Sequence, residues 1–307
     1  MTSLLTNISA MVALQTLNDI NMSLQKTNDR VSTGLRIAKA QDSAAYWAIA
    51  TTTRSDNGAL GAVNDALALG RSTLDVVYNG LETTRESLQK MKELLVSARQ
   101  PGVNRINVQT EIAGLQADMQ NKAQASVINE QNFLDVDSAA ASYNATKSIV
   151  ASFERTPAGI AVSTIDLDID SIKLIDPAGG TADGILDQDR TVGGTTDNVL
   201  AVDISALTDS VADITTLEEV ISIVDEALIE VITAQNEVGV SLARAESQER
   251  FIGALIDAND RAVGALVDAN MEEESTKLRA LQTQQQLSIE SLAIANTSAQ
   301  NILTLFR

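Results

Sequence analysis

The stretch that decides the fold is ALVDANMEEESTKLRALQTQQQLSIESLAIANTSAQNILTLFR, residues 265–307. It contains neither glycine nor proline, so it could form an unbroken helix of roughly 65 Å at about 1.5 Å per residue. One seam of positions separated alternately by three and four residues consists of Leu278, Leu281, Gln285, Ser288, Leu292, Ala295, Ala299, Ile302 and Phe306. A second seam contains Leu287, Ile294 and Leu305. This spacing is typical of a coiled coil, and a single amphipathic helix on its own domain core is the alternative.

The N-terminal segment has the same helical periodicity. Its apolar residues recur at three- and four-residue spacing, with polar residues between them: Leu4, Leu5, Ile8, Met11, Val12, Leu14, Leu17, Ile20 and Leu24. The first glycine is Gly34, and the first proline is Pro101. Each chain end would carry an apolar helix face that needs to be buried against another helix. We therefore expect the two ends to pair with each other as an antiparallel rod.

The middle of the chain contains further helices and a small β region. Helical spacing marks residues 57–100, 103–130 and 216–264. Alternating apolar and polar residues mark strand candidates at 160–175 and 199–207, and turn signals occur at 176–180 and 191–198. The predicted fold class is therefore mainly α: a long antiparallel helical rod or coiled coil formed by both chain ends, with a small β-containing central insert.

Composition argues against several classes of function. The chain has no Cys and no His, which removes thiol nucleophiles, imidazole bases and Cys/His zinc sites. A net charge of −19 argues against nucleic-acid binding. No apolar run approaches the roughly 20 residues that cross a membrane, and the N-terminus lacks the basic segment of a cleavable secretion signal. We therefore expect no cofactor, no membrane insertion, and either a cytoplasmic protein or one exported without a cleavable signal.

Three acidic or glycine-rich motifs have plain structural explanations. Asp166, Asp168 and Asp170 have the spacing of a calcium loop but lack its glycine and its downstream glutamate, so we interpret them as solvent-facing residues of an edge strand. The acids of residues 271–275 suit a helix N-terminus. The pairs at 179–180 and 193–194 are turn glycines rather than phosphate loops. No catalytic or metal site is predicted.

Two stretches closely resemble the conserved ends of bacterial flagellin. They are VSTGLRIAKAQDSAAYWAIA, residues 31–50, and residues 268–306. The matching positions are Ser32, Thr33, Gly34, Arg36, Ile37, Asp42, Ala44, Ala45, Ile49 and Ala50 in the first stretch, and 281–287, 294–296 and 300–303 in the second. Their order and spacing make the resemblance specific. It covers about residues 1–135 and 216–307, and leaves out the insert.

The resemblance implies a structural subunit that self-assembles into the extracellular flagellar filament used for motility. The implied layers are an inner tube of residues 1–44 and 269–307, a surrounding helical layer of 45–135 and 216–268, and a variable outer domain of 136–215. Its ends would fold on polymerisation. Its partners would be copies of itself, other flagellins, the flagellar type III export apparatus and a chaperone, and the filament cap and hook-junction proteins.

The assembly interface implied by this resemblance lies mainly in the terminal helices. Its expected residues are Leu5, Ile8, Val12, Leu17, Leu24, Arg36, Tyr46, Trp47, Leu278, Leu281, Leu287, Leu292, Ile294, Ile302, Leu305 and Phe306. Tyr46 and Trp47 stand where flagellins usually have a small residue and an aliphatic one, which resembles a subgroup from soil and plant-associated bacteria. They are either core-filling residues or a special contact between subunits.

Host immune receptors form a further implied class of partner. Plant receptors read the segment that matches residues 30–51, where this chain departs at Ala38, Lys39, Gln41, Tyr46 and Trp47. The animal toll-like receptor for flagellin reads the helix that matches residues 88–99. Lys90 and Ser97 depart from its epitope, whereas the positions that match it are Leu88, Gln89, Glu93, Leu94 and Glu111. We expect weakened recognition by both receptors.

Two other non-enzymatic functions remain open at this point. A hook–filament junction protein shares the end motifs more loosely, and a helical type III translocator or adhesin need not keep both of them. An enzyme would need a cofactor or a carboxylate pair that the sequence does not contain.

Overall fold

The computed structural model describes residues 7–141, 143–156, 159–178 and 183–305, and for residues 298–305 it describes the backbone alone. These ranges contain five helices: α1 (Ile8–Thr33), α2 (Ala44–Ala98), α3 (Arg105–Ala125), α4 (Val211–Val267) and α5 (Met271–Leu305). They contain six strands: β1 (Val127–Ile128), β2 (Gln131–Asn132), β3 (Thr146–Thr156), β4 (Gly159–Asp168), β5 (Arg190–Val192) and β6 (Thr195–Asp197). The predicted fold class, mainly α with a small β-containing central region, is confirmed.

The chain forms two compact units. The first contains residues 1–58 and 255–307, and the second contains residues 59–254. Helices α2 and α4 contribute residues to both units. The predicted division into three filament layers concerns the assembled polymer and is not tested by these two units, so it stays a prediction.

In the first unit, α1 and α5 pack together in antiparallel orientation. Asn7 donates a hydrogen bond to the carbonyl of Ala295 at 3.0 Å, and Gln285 donates to Asn21 at 2.7 Å. Residue numbers thus rise along one helix as they fall along the other, which defines an antiparallel register. The pairing of the two chain ends that the sequence predicts is therefore present within a single chain.

The expectation of one unbroken helix from residue 265 onward is wrong. Helix α4 ends at Val267, and α5 begins at Met271. The side chain of Asn270 accepts from the amide of Glu272 at 3.2 Å, which caps the new helix. The amide of Ala269 donates to the carbonyl of Gly34 instead of continuing the helix. The three glutamates that follow occupy the first turn of α5, as expected for acids at the positive end of a helix dipole.

In the second unit, α2 and α4 form a long antiparallel pair with a seven-residue repeat. Buried leucines recur every seven residues along α2: Leu60, Leu67, Leu74, Leu81, Leu88 and Leu95. The matching series on α4 is Leu217, Val224, Val231, Val238, Ala245 and Ile252. Ion pairs between Lys92 and Asp225 and between Arg99 and Glu218 cross from one helix to the other. The repeat is that of a left-handed coiled coil with an aliphatic core.

The predicted helix from residue 103 is shorter than expected. It ends at Ala125, and the positive φ angles of Asn129 and Glu130, 51° and 64°, form the tight turn between β1 and β2. Two left-handed residues in succession suit the twist of a hairpin.

The predicted strand at 199–207 is wrong, because this segment consists of turns and irregular backbone. Its apolar side chains are nevertheless buried, including Val199 and Val202. The side-chain amides of α3 take the place of a partner strand. Gln116 donates to the carbonyls of Val199 and Val202, and Gln109 accepts from the amide of Ile204.

The predicted strand at 160–175 is present as β4 but ends at Asp168, beyond which the chain turns. Ile165 and Leu167 are buried, whereas Asp166 and Asp168 are exposed, as the alternation predicts. Its antiparallel partner β3 was not expected from the sequence. The hairpin of β5 and β6 turns at Gly193-Gly194, in agreement with the predicted turn.

A buried lysine organises the charged part of the insert. Nζ of Lys173 lies 2.8 Å from Oδ2 of Asp176 and 2.9 Å from Oδ1 of Asp170. Tyr143 donates to Asp170 at 2.6 Å, and the amide of Ser138 donates to Asp176 at 3.1 Å. Burial by itself would raise the pKa of Asp176, but hydrogen bonds from Lys173 and Ser138 lower this pKa to about 2.

This cluster predicts that the second unit loses stability as the pH is lowered. A carboxyl whose folded pKa lies below its ordinary value of about 3.9 contributes stability above that value and loses it as the pH falls through the folded pKa. We expect the free energy of unfolding to fall between about pH 4 and pH 2, and the Asp176→Asn variant to show a flatter dependence. Urea unfolding at a series of pH values measures both curves. Parallel curves for the two proteins would contradict the assignment.

Candidate assembly interface

One face of each terminal helix is used within the chain. The half-buried residues of α5 include Leu278, Leu281 and Leu292, which belong to the seam predicted from their spacing. On α1 the half-buried residues include Leu17 and Leu24. These five expected interface residues therefore lie on the faces through which α1 and α5 pack against each other within the chain, and not on a free surface.

The opposite faces carry exposed apolar side chains. Ile8 and Val12 on α1 are 65% and 59% exposed, and Leu287 and Ile294 on α5 are 59% and 65% exposed. The second seam of α5 thus points away from α1. The side chains of the other expected residues, Leu5, Ile302, Leu305 and Phe306, lie outside the part of the chain that the structure describes.

Backbone hydrogen bonds connect the break between α1 and α2 with the break between α4 and α5. We call this contact, between residues 34–37 and 267–269, the joint. Gly34 ends α1 in the left-handed conformation with φ 72°, and its amide donates to the carbonyl of Arg30. The amides of Arg36 and Ile37 both donate to the carbonyl of Val267, at 2.7 and 3.2 Å. The joint therefore holds the end of α1 beside the end of α4.

Side chains reinforce this joint. The guanidinium of Arg36 donates to the carbonyl of Leu266 at 2.7 Å, which gives this expected interface residue a role inside the chain. A small buried cluster beneath it consists of Ile37, Ala50, Val263 and Val267. Apolar burial and backbone hydrogen bonds thus hold the same point, and neither depends on a neighbouring copy.

The loop between α1 and α2 is held by Asp42. Its Oδ2 accepts from the amides of Lys39 and Ala38 at 3.1 and 3.2 Å. The hydrogen bond from the Lys39 amide is the main reason that the pKa of Asp42 is lowered. Nζ of Lys26 lies 3.9 Å from the same carboxylate, a weak contact on an exposed side chain.

An ion pair that sequence reasoning missed joins α1 to α5 near the joint. Nη1 of Arg30 donates to Oε1 of Glu274 at 2.8 Å, and the two side chains are 22% and 10% exposed. Glu274 is the third of three consecutive acids, whereas Glu272 and Glu273 are exposed. Only the antiparallel register of α1 and α5 could have identified which acid is buried.

Tyr46 and Trp47 lie in the first turn of α2, on its exposed side. They are 47% and 39% exposed, so core filling within the subunit does not account for them. Large aromatic rings left half-exposed near a joint are suited to contact another molecule.

The residues expected to meet immune receptors divide into two groups. Leu88 is fully buried in the heptad core of α2, and Leu94 is half-buried. Gln89, Lys90 and Glu93 on α2 are exposed, as is Glu111 on α3. A receptor approaching the folded unit would therefore meet the polar members of the set.

The described residues contain no group of three or more Asp and Glu placed to hold a metal ion. Among the helices described here, none is long and apolar enough to cross a membrane.

Two family profiles match the chain. Residues 4–139 match the bacterial flagellin N-terminal helical region, and residues 221–306 match the bacterial flagellin C-terminal helical region. Over the full length of both chains, the protein is 43% identical to Flagellin C of Rhizobium meliloti (strain 1021), 35% identical to Flagellin D of Rhizobium meliloti and 37% identical to Flagellin of Brucella melitensis. Full-length similarity to flagellins favours a filament subunit over a junction protein, translocator or adhesin.

The joint predicts a specific sensitivity at Gly34. A Cβ there would meet no atom within 4 Å, so the Gly34→Ala variant would introduce no steric clash with its surroundings. The remaining effect is the strain of alanine in the left-handed conformation, which destabilises the folded state by roughly 1–2 kcal/mol. We expect the free energy of unfolding to fall by about that amount in urea titrations followed by far-UV circular dichroism.

The matched control is Gly58→Ala in the same unit. Gly58 lies inside α2 and also has open space around it, so alanine there should stabilise the helix by up to about 1 kcal/mol. If both variants changed stability in the same direction, the importance of the left-handed joint would be contradicted.

Proposed function

The chain belongs to the bacterial flagellin family and is a subunit of the extracellular flagellar filament, which flagellins form by self-polymerisation; from this premise we propose that its two terminal helices divide their surfaces between two tasks. One face of α1 and of α5 pairs with the other helix of the same chain. The other face packs against neighbouring copies.

The exposed second seam of α5 is the observation that carries this proposal. Leu287 and Ile294 lie seven residues apart on the face that α1 leaves free. Apolar residues aligned along one helix face favour burial against another molecule. A helical polymer needs contacts between two different surfaces of the subunit, because such contacts do not close into a dimer. The outer faces of α1 and α5, with Ile8 and Val12 on the former, supply two such surfaces.

We assign the three regions of the chain to radial layers of the filament. Residues 1–44 and 269–307 form the inner tube, residues 45–135 and 216–268 surround it, and residues 136–215 face outward. The charge distribution supports this order, because residues 160–230 hold 16 acids against Lys173 and Arg190. Like charges repel one another when they are packed closely, so a surface of one charge sign is better suited to face solvent than to pack against other subunits.

Further partners follow from membership of a flagellar filament. We propose export through the flagellar type III apparatus with the help of a chaperone, and contacts with the filament cap and hook-junction proteins at the two filament ends. The exposure of Tyr46 and Trp47 supports a contact with another subunit. We also propose, from the sequence of this aromatic pair, that the chain belongs to the flagellin subgroup of soil and plant-associated bacteria. Flagellins are structural proteins, and the absence of Cys and His supports a function without catalysis.

Polymerisation of outer-face variants tests the proposal. We expect Leu287→Asn and Ile294→Asn to leave the unfolding free energy of the free subunit unchanged and to raise the critical concentration for seeded polymerisation at least about tenfold, because each removes an apolar contact worth about 1.5–3 kcal/mol. Sedimentation of polymer after seeding measures this concentration.

Two matched variants separate the faces. Ser291→Asn changes an exposed polar residue of α5 and should polymerise like the parent protein. Leu281→Asn should destabilise the α1–α5 pair in the free subunit. The division of surfaces would be refuted by outer-face variants whose critical concentration equals that of the parent.

The exposed receptor segment gives a second expectation. Lysine at position 90 lacks the planar fork with which arginine binds a carboxylate, so we propose that this chain is weakly recognised by the toll-like receptor. Lys90→Arg should raise activation of receptor-expressing reporter cells about tenfold, the effect of one added hydrogen bond between charged groups. Lys92→Arg, at a residue paired with Asp225, is the control. Equal activation by the parent protein and Lys90→Arg would contradict the proposal.

A further inference from the structure

The outer face of α4 carries a second row of residues that its coiled coil with α2 does not use. The row has alternating four- and three-residue spacing and is exposed throughout: Ile229, Thr233, Asn236, Val240, Ala243 and Ser247. Phe251 extends it by one turn, and Ile229, Val240 and Phe251 are each more than half exposed. None of these residues is charged, although the outward side of a helix is normally polar and charged. We call this row the α4 stripe.

Helix α2 has a corresponding row, which is free over part of its length. Ala62, Ala66 and Leu69 are exposed and have the same spacing, and we call them the α2 stripe. The row continues along α2 to Gly80, but there the chain after β2 covers the helix. A Cβ on Gly80 would lie 2.4 Å from Cδ1 of Leu134. The α2 stripe is therefore the part of this row that its own chain leaves open.

The length of α3 explains why both stripes stay open. Helix α3 has 21 residues, whereas α2 has 55 and α4 has 57. A third helix of this length can accompany only part of a pair more than twice as long. A helix with two rows of this spacing is suited to two helical partners, and within the described residues α4 has only α2 along its stripe.

The two stripes complement each other in size and in charge. Valine and phenylalanine project from the α4 stripe, whereas alanines occupy most of the α2 stripe, an arrangement that suits knobs-into-holes packing. Arg250 borders the α4 stripe and Asp65 borders the α2 stripe. Both are exposed, and neither has an ion pair among the described residues.

We infer that the α4 stripe of one copy packs against the α2 stripe of a neighbouring copy in the filament. The two surfaces differ and belong to one subunit, so the contact repeats from copy to copy without closing into a dimer. It lies in the second unit and adds to the contacts proposed for the terminal helices. It requires polymerisation, but it does not depend on how α1 and α5 divide their surfaces.

Val240→Asn tests this contact by placing an amide in the α4 stripe. The side chain is exposed in the subunit and the two residues have similar helix propensities, so the urea midpoint of the free protein should stay unchanged. The critical concentration for seeded polymerisation should rise about tenfold, because an apolar contact is lost in the polymer alone.

Val96→Asn is the matched control. Val96 is an exposed valine of α2 that lies outside both stripes, and this variant should polymerise like the parent. A critical concentration of Val240→Asn equal to that of the parent would overturn the inference. If Leu287→Asn and Ile294→Asn polymerised normally while Val240→Asn did not, only the proposed division of α1 and α5 would fail.

Cysteine cross-linking identifies the partner surface, because the chain contains no cysteine of its own. Filaments are formed from an equal mixture of Leu69→Cys protein with Ile229→Cys, Val240→Cys or Phe251→Cys protein, and are then oxidised. We expect at least one mixture to give a disulfide-linked dimer on a denaturing gel, and each variant alone to give none. Dimers from an α4 variant alone, or no dimer from any mixture, would contradict the pairing of the α4 stripe with the α2 stripe.

Discussion

The backbone hydrogen bonds between residues 34–37 and 267–269 are the constraint on which the first unit depends. They bring the break between α1 and α2 beside the break between α4 and α5. Gly34 makes this possible because its left-handed φ turns the chain out of α1. Once the two breaks are joined, α1 and α5 must run antiparallel from a common starting point, and their register is fixed.

This register explains why the seam between α1 and α5 is diluted with polar residues. Gln285 lies in the seam and donates to Asn21 across it, and Ser288 occupies another seam position. This hydrogen bond is exposed to solvent, so it adds a directional contact to the seam without burying a polar group. Because this seam is weak, we expect the terminal pair to gain stability when the apolar residues of its outer faces are buried against neighbouring copies. The coiled coil of α2 and α4 has an almost wholly aliphatic seam and needs no such help.

The helices and seams could be predicted because periodicity is a local property of the sequence. The break at residues 268–270 could not, since it depends on the cap by Asn270 and on the bond from Ala269 to Gly34, a residue far away in the chain. The strand expected at 199–207 failed for a similar reason: glutamine side chains of α3 occupy its backbone groups. At the interface, spacing identified the apolar residues but not which of the two seams faces the partner helix.

The central claim is that α1 pairs with α5 of its own chain and turns its other face toward neighbouring copies. A cryo-electron microscopy reconstruction of the filament at side-chain resolution tests it most directly. We predict Arg30 beside Glu274 of the same chain, with Leu287 and Ile294 buried against another subunit. A filament in which α1 pairs with α5 of a neighbouring chain, or in which Leu287 and Ile294 remain exposed to solvent, would contradict the account.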